Sequence, residues 1–166
     1  ERFLRYVQVD TQSNPQSNTH PTTEKQKDLS KILYDELVAM GLSNVDLDPF
    51  GYVYATIPET SKKTGIPVIA FCSHVDTAPD CSGTNVKPIL HTGYKGDDIT
   101  LPDDNTQVLR VAESPYLKNH IGADIITGSG QTLLGADDQS GVAIIMQAAQ
   151  FLMDNPSLAH GEIRIV

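Results

Sequence analysis

Basic residues are scarce in this chain: 12 Lys and Arg stand against 21 Asp and Glu, for a net charge of −9. Phosphate backbones and anionic membranes are held by clustered cations, so neither nucleic acid nor membrane is expected as a partner. The acid excess suits a well-solvated surface, and it equally suits carboxylates kept for a cation. Cysteine is limited to Cys72 and Cys81. They form no Cys-x-x-Cys pair and no disulfide framework, which points to a reducing, cytoplasmic setting. Cys72 falls in an apolar run, where a core thiol is expected. No stretch reaches the roughly 20 apolar residues of a membrane span. No signal peptide is visible, and the absent initiator methionine suggests a true N-terminus upstream of Glu1.

What is present is an ordinary globular composition, 39% hydrophobic and 20% charged over 166 residues, enough for one domain with a core or most of one. Phe3, Leu4 and Val7 have helical spacing but no cap before them. Thr23-Glu-Lys-Gln26 reads as a capping box. Leu29, Ile32, Leu33, Leu37 and Met40 then recur at helical intervals, and Gly41 supplies the stop. Strands are expected at 44–47 and 52–57, joined by the turn residues Asp48-Pro-Phe-Gly51. The continuous apolar run Val68–Ser73 suits a central strand buried on both faces.

From Ala78 to about Thr127 periodicity is weak, with short strands expected at 89–91 and 99–101. A segment this irregular inside a domain is often functional. An apolar strand at Thr132–Leu134 leads to Gly135-Ala-Asp137-Asp138. A helix from about Gln139 to Asp154 follows, apolar nearly all round and therefore buried. Asn155-Pro156 ends it. Gly161–Val166 alternates like a half-buried strand that stops without a turn. Strands alternating with helices indicate an α/β architecture.

Two places could carry chemistry. His74-Val-Asp76 closes the apolar run. Residues two apart on a strand share a face, so Asp76 could orient the His74 ring or its metal. A polar cap on a strand end is the plain alternative for His74. The second place is Asp137-Asp138. One of these carboxylates could be a helix N-cap. Two adjacent carboxylates in a desolvated position need hydrogen bonds or a cation. Asp97-Asp98 and Asp103-Asp104 lie in polar sequence and read as solvated turns or caps. His20, His91, His120 and His160 read as surface or loop. Gly128-Ser-Gly130 lacks the Gly-Lys-Ser/Thr of a phosphate loop. Ser73 and Ser140 lack the Gly-x-Ser-x-Gly of a nucleophile elbow.

The two segments His74-Val-Asp-Thr-Ala-Pro-Asp-Cys-Ser-Gly-Thr-Asn-Val86 and Thr132-Leu-Leu-Gly-Ala-Asp137-Asp138-Gln-Ser-Gly141, with the opening Phe3-Leu-Arg-Tyr-Val-Gln-Val-Asp-Thr-Gln-Ser13, resemble the di-zinc exopeptidases. That family includes carboxypeptidase G and succinyl-diaminopimelate desuccinylase. The resemblance implies a layered α/β/α domain with a central mixed sheet, incomplete at its C-terminus. It implies two zinc ions, His74 as a ligand of one, Asp137 bridging both, and Asp76 as a catalytic residue supporting His74. It implies a cis peptide between Asp137 and Asp138. Gln139-Ser140 departs from the family's usual Lys-Ala or Lys-Gly, at positions that are not ligands.

The implied activity is release of the N-terminal residue of a tripeptide, with a small peptide as substrate. A dipeptidase or deacylase of the same family, or a non-catalytic α/β module, is the alternative. The family's Glu-Glu pair, its later Asp and His ligands and its lid domain, often used in homodimers, have no counterpart in residues 1–166. This chain then corresponds to the N-terminal part of the catalytic domain. Alone it should bind zinc weakly, cleave no peptide and aggregate.

Overall fold

Residues 1–166 are described by a computed structural model. The elements run α1 (Arg2–Tyr6), α2 (Gln26–Ala39), β1 (Ser43–Leu47), β2 (Val53–Ile57), β3 (Ile69–Phe71), β4 (Ile89–His91), β5 (Ile99–Thr100), β6 (Val108–Leu109), a 3-10 helix (Pro115–His120), β7 (Ile125–Thr127), α3 (Ala136–Asp154) and β8 (Ile163–Ile165). The main sheet has the order β1-β2-β8-β3. β1 and β2 are antiparallel, as are β2 and β8, whereas β8 and β3 run parallel. The sheet is therefore mixed, and the α/β class expected from the sequence holds.

Register explains the core. Ala55 opposes Ile165 and Ile57 opposes Ile163, so these four share one face. They are buried with Tyr6, with Leu29, Leu33 and Leu37 of α2, and with Val142, Ala143, Met146 and Ala149 of α3. Both long helices thus cover the same face of the sheet. Tyr54 and Arg164, one residue out of step, are exposed on the other. The β1–β2 turn forms as its residues suggest: Asp48 Oδ1 accepts from the backbone N–H groups of Phe50 and Tyr52, both at 2.9 Å, and Gly51 has φ +95°.

Several local expectations need correction. β3 is shorter than the apolar run and lies at the sheet edge, because β8 occupies the position beside β2. Val68, Ile69 and Phe71 are consequently about half exposed, and Cys72 is exposed rather than packed in the core. α3 buries one face only, leaving Ile144 and Phe151 more than half exposed. Residues 132–134 form no strand.

The capping box is also not made. The α2 N-cap is Lys25, without a side-chain cap. Thr23 Oγ1 instead donates to the Gln12 carbonyl at 2.8 Å, and Gln26 Nε2 donates to Thr22 Oγ1 at 3.0 Å. The first helical N–H groups are satisfied by tight turns, Gln26 N to Thr23 O and Lys27 N to Glu24 O. The long middle segment is not shapeless. It forms two small antiparallel sheets, β4–β7 and β5–β6, with a minor core of Tyr94, Ile99 and Leu117.

Candidate metal centre

The site forms where the chain leaves β3 and enters α3. His74 follows β3 by three residues. Across from it, Asp137 (φ −96°, ψ 105°) and Asp138 (φ −120°, ψ 28°) depart from helical geometry, so regular α3 begins at Gln139. The Asp137–Asp138 peptide is cis. His74 Nε2 and Asp137 Oδ1 are brought to 3.2 Å. The Asp137 side chain is 97% exposed, so its position is not desolvated as the sequence suggested.

The hydrogen bonding of His74 fixes its chemistry. Nδ1 lies 3.0 Å from the Asp76 carbonyl oxygen and 3.2 Å from Asp76 Oδ1. A carbonyl oxygen can only accept, so Nδ1 carries the hydrogen. In the neutral ring Nε2 is then a bare lone pair aimed at a carboxylate oxygen. Two acceptors held this close need a proton or a cation between them. Burial works against a charged ring, but the Asp76 carbonyl and carboxylate, with Asp137, outweigh it and hold the His74 pKa above its ordinary value.

The same geometry suits a metal. Zinc bonds of ~2.0–2.1 Å to nitrogen and ~2.0–2.2 Å to oxygen place two ligands of one tetrahedral ion roughly 3.3 Å apart. The observed 3.2 Å matches that spacing. This chain brings together two such donors, and no group of three or more His, Cys, Asp or Glu side chains converges on one point.

Asp138 is set differently from its neighbour. Its Oδ2 accepts from Ser73 Oγ at 2.6 Å, and the Ser73 hydroxyl also lies 3.1 Å from the Asp138 carbonyl. Ser73 therefore ties the end of β3 to the start of α3, a role its sequence context gave no sign of. Gly141 is the condition for this contact. A Cβ there would lie 2.7 Å from Ser73 Oγ and 2.9 Å from Asp138 Cγ. A cavity of about 280 Å3 adjoins the site, lined by Leu33, Val53, Val142, Met146, His74 and Asp76.

The remaining candidates lie apart. Asp103 pairs with Lys87 at 2.8 Å, and Asp104 holds the turn at Thr106. Lys87 and a hydrogen bond from Ser129 lower the Asp103 pKa. His20 is exposed, its ring tilted against Phe50 and Tyr52 and its Nε2 2.9 Å from Tyr52 Oη. His91 sits half-buried in β4 against Thr127 Oγ1 at 2.9 Å, and His160 faces the Gly161 carbonyl at 2.8 Å.

No family model matches the chain. Among curated proteins it is similar to peptidase T. It is 47% identical to that of Geobacillus thermodenitrificans, 48% to that of Bacillus mycoides and 47% to that of Listeria innocua, each over 165 residues. These matches cover 99% of this chain and 40% of the relatives, so the chain spans two fifths of their length. Among solved structures, aminopeptidase PepT from Bacillus cereus aligns with a TM-score of 0.60 at 24% identity, covering 98% of this chain and 33% of that one. A tripeptidase from Staphylococcus aureus aligns at 0.59 and 23%, covering 99% and 34%. These two likenesses establish the fold.

Proposed function

We propose that the protein carrying this chain is a metal-dependent aminopeptidase that removes the N-terminal residue of tripeptides. The observation that carries the reading is the 3.2 Å approach of His74 Nε2 to Asp137 Oδ1. It occurs in a chain 47% identical to peptidase T over 165 residues. Residues 1–166 would supply part of the catalytic domain, with further ligands and the general base drawn from outside them, since a zinc site uses at least three protein ligands.

In this reading His74 and Asp137 are the residues that would hold zinc, through Nε2 of the ring and the carboxylate. Asp76 fixes the ring tautomer through Nδ1, so that Nε2 presents its lone pair to the metal side. Ser73 holds Asp138 against β3, which keeps the first turn of α3, and Asp137 with it, at the mouth of the site. Bound zinc would polarise the scissile carbonyl and lower the pKa of a bound water.

The test is tripeptide hydrolysis by the natural full-length gene product and its Asp137→Ala variant. Cleavage of the N-terminal residue that is lost in the variant is expected. Near wild-type turnover in the variant would remove Asp137 from the mechanism. Cleavage of dipeptides or acyl-amino acids in place of tripeptides would move the protein to another amide hydrolase class.

A further inference from the structure

One residue behind each half of the site lies a buried polar group that the mechanism above does not use. Thr77 follows Asp76, and Gln139 follows Asp138. Both are buried, as is Thr11. Gln139 Nε2 donates to Thr11 Oγ1 at 3.0 Å. The backbone of Thr77 is held between neighbours, its N–H donating to the Thr11 carbonyl at 3.2 Å and its own carbonyl accepting from Ser13 N at 2.9 Å. Thr11, Thr77 and Gln139 therefore join three segments that are remote in sequence.

Two atoms of this node have no hydrogen-bond partner within the protein itself: Thr77 Oγ1 and Gln139 Oε1. Buried oxygens are rarely left so. At Gly135 a Cβ would lie 3.0 Å from the Thr77 methyl and 3.2 Å from Gln139 Oε1, and at Gly83 one would lie 3.6 Å from Thr77 Oγ1, so the two side chains flank the same space. They also line a cavity of about 10 Å3, together with Val7, Val9, Val86 and Leu133. One water centre needs roughly 10–15 Å3 of such space and two or more polar partners.

We propose that this cavity holds a single structural water, and that Gln139 is a positioning residue for the site. The Thr77 hydroxyl donates to the water, and the water donates to Gln139 Oε1. The bridge completes both orphaned atoms. It also couples the turn that carries His74 and Asp76 to the first turn of α3, which carries Asp137. The existence of the water is independent of the proposed function, whereas the consequence for metal binding rests on it.

A high-resolution crystal structure of the protein decides the first part. Density for one water within ~2.7–3.2 Å of both oxygens is expected. An empty cavity, or the two side chains turned to other partners, overturns the bridge. The second part uses Gln139→Met, Thr77→Val and the double variant, measuring zinc affinity beside the denaturation midpoint. Each single change should weaken zinc binding, by no more than the ~10–100-fold typical of groups bonded directly to a ligand. The double variant should be little worse than either, because the water is lost at the first substitution. Additive losses contradict a shared water. Lower stability with unchanged zinc affinity contradicts positioning. Failure of the wild-type protein to bind zinc would instead refute the function proposed above and leave the crystallographic result standing.

Discussion

Replacing Gly141 by Ala sets a gain in helix propensity against a larger steric cost. Gly141 lies inside regular α3, where alanine normally gains about 0.5–1 kcal/mol by restricting the unfolded chain. Here the added Cβ would lie 2.7 Å from Ser73 Oγ and 2.9 Å from Asp138 Cγ. Either partner must move, and the two are bound to each other at 2.6 Å. Forcing such an overlap costs about 1–3 kcal/mol. Losing a hydrogen bond to a carboxylate costs about 1.5–3 kcal/mol, with the lower end appropriate to a half-buried pair.

The balance is a destabilisation of about 1.5–4 kcal/mol, so the expected sign is opposite to the helix-propensity rule. Urea denaturation followed by circular dichroism reads it as a lower midpoint with an unchanged slope. The nearest obstruction is Asp138 Oδ1; Ser73→Ala removes the hydroxyl beside it and frees that carboxylate to turn away, so Gly141→Ala should cost less in that background. A Gly141→Ala protein more stable than wild type, or strictly additive with Ser73→Ala, would refute the reasoning.

Glu36 ties α1 to α2 by accepting from Tyr6 Oη at 2.8 Å, Arg2 Nε at 3.1 Å and Arg5 Nη1 at 2.8 Å. Burial raises its pKa, but these three bonds together prevail and lower it. The stabilisation is therefore complete above the unfolded carboxylate pKa and is lost as pH falls through the folded one. Glu36→Gln should be about 1–2 kcal/mol less stable near neutral pH, and the two stability curves should converge in acid; a pH-independent gap would contradict the assignment. At the sheet edge, Phe71 is 45% exposed on β3, whose outer side pairs with no strand. Phe71→Lys should reduce concentration-dependent aggregation of residues 1–166 in light scattering, and unchanged scattering would show that association occurs elsewhere.

The sequence displayed local order well and lateral order poorly. α2, β2 and β8 were legible because their periodicities reflect one buried face each, and β1 because a clear turn joins it to β2. The apolar run 68–73 suggested a central strand, yet hydrophobicity alone does not say which strand lies beside which, and β8 takes the place next to β2. The apolar α3 misled for a related reason: its helical period was clear, but Ile144 and Phe151 face solvent in this chain. At the site, His74 and Asp76 do touch, but beyond the end of β3, so the contact is not the shared strand face that their spacing suggested. The approach of His74 to Asp137 spans 63 residues, and the Gln139–Thr11 bond spans 128. No spacing rule reaches contacts of that length, and Ser73 gave no sign of its bond to Asp138.

The central claim is that His74 and Asp137 are two ligands of one metal ion. The direct measurement is anomalous diffraction at the zinc edge from crystals of the protein grown with zinc. The account predicts a peak ~2.0–2.2 Å from both His74 Nε2 and an Asp137 oxygen, with a second peak ~3.5–4 Å away that shares Asp137. Density with no zinc peak at Asp137, and with His74 Nε2 bonded only to the Asp137 carboxylate through a proton, would contradict it.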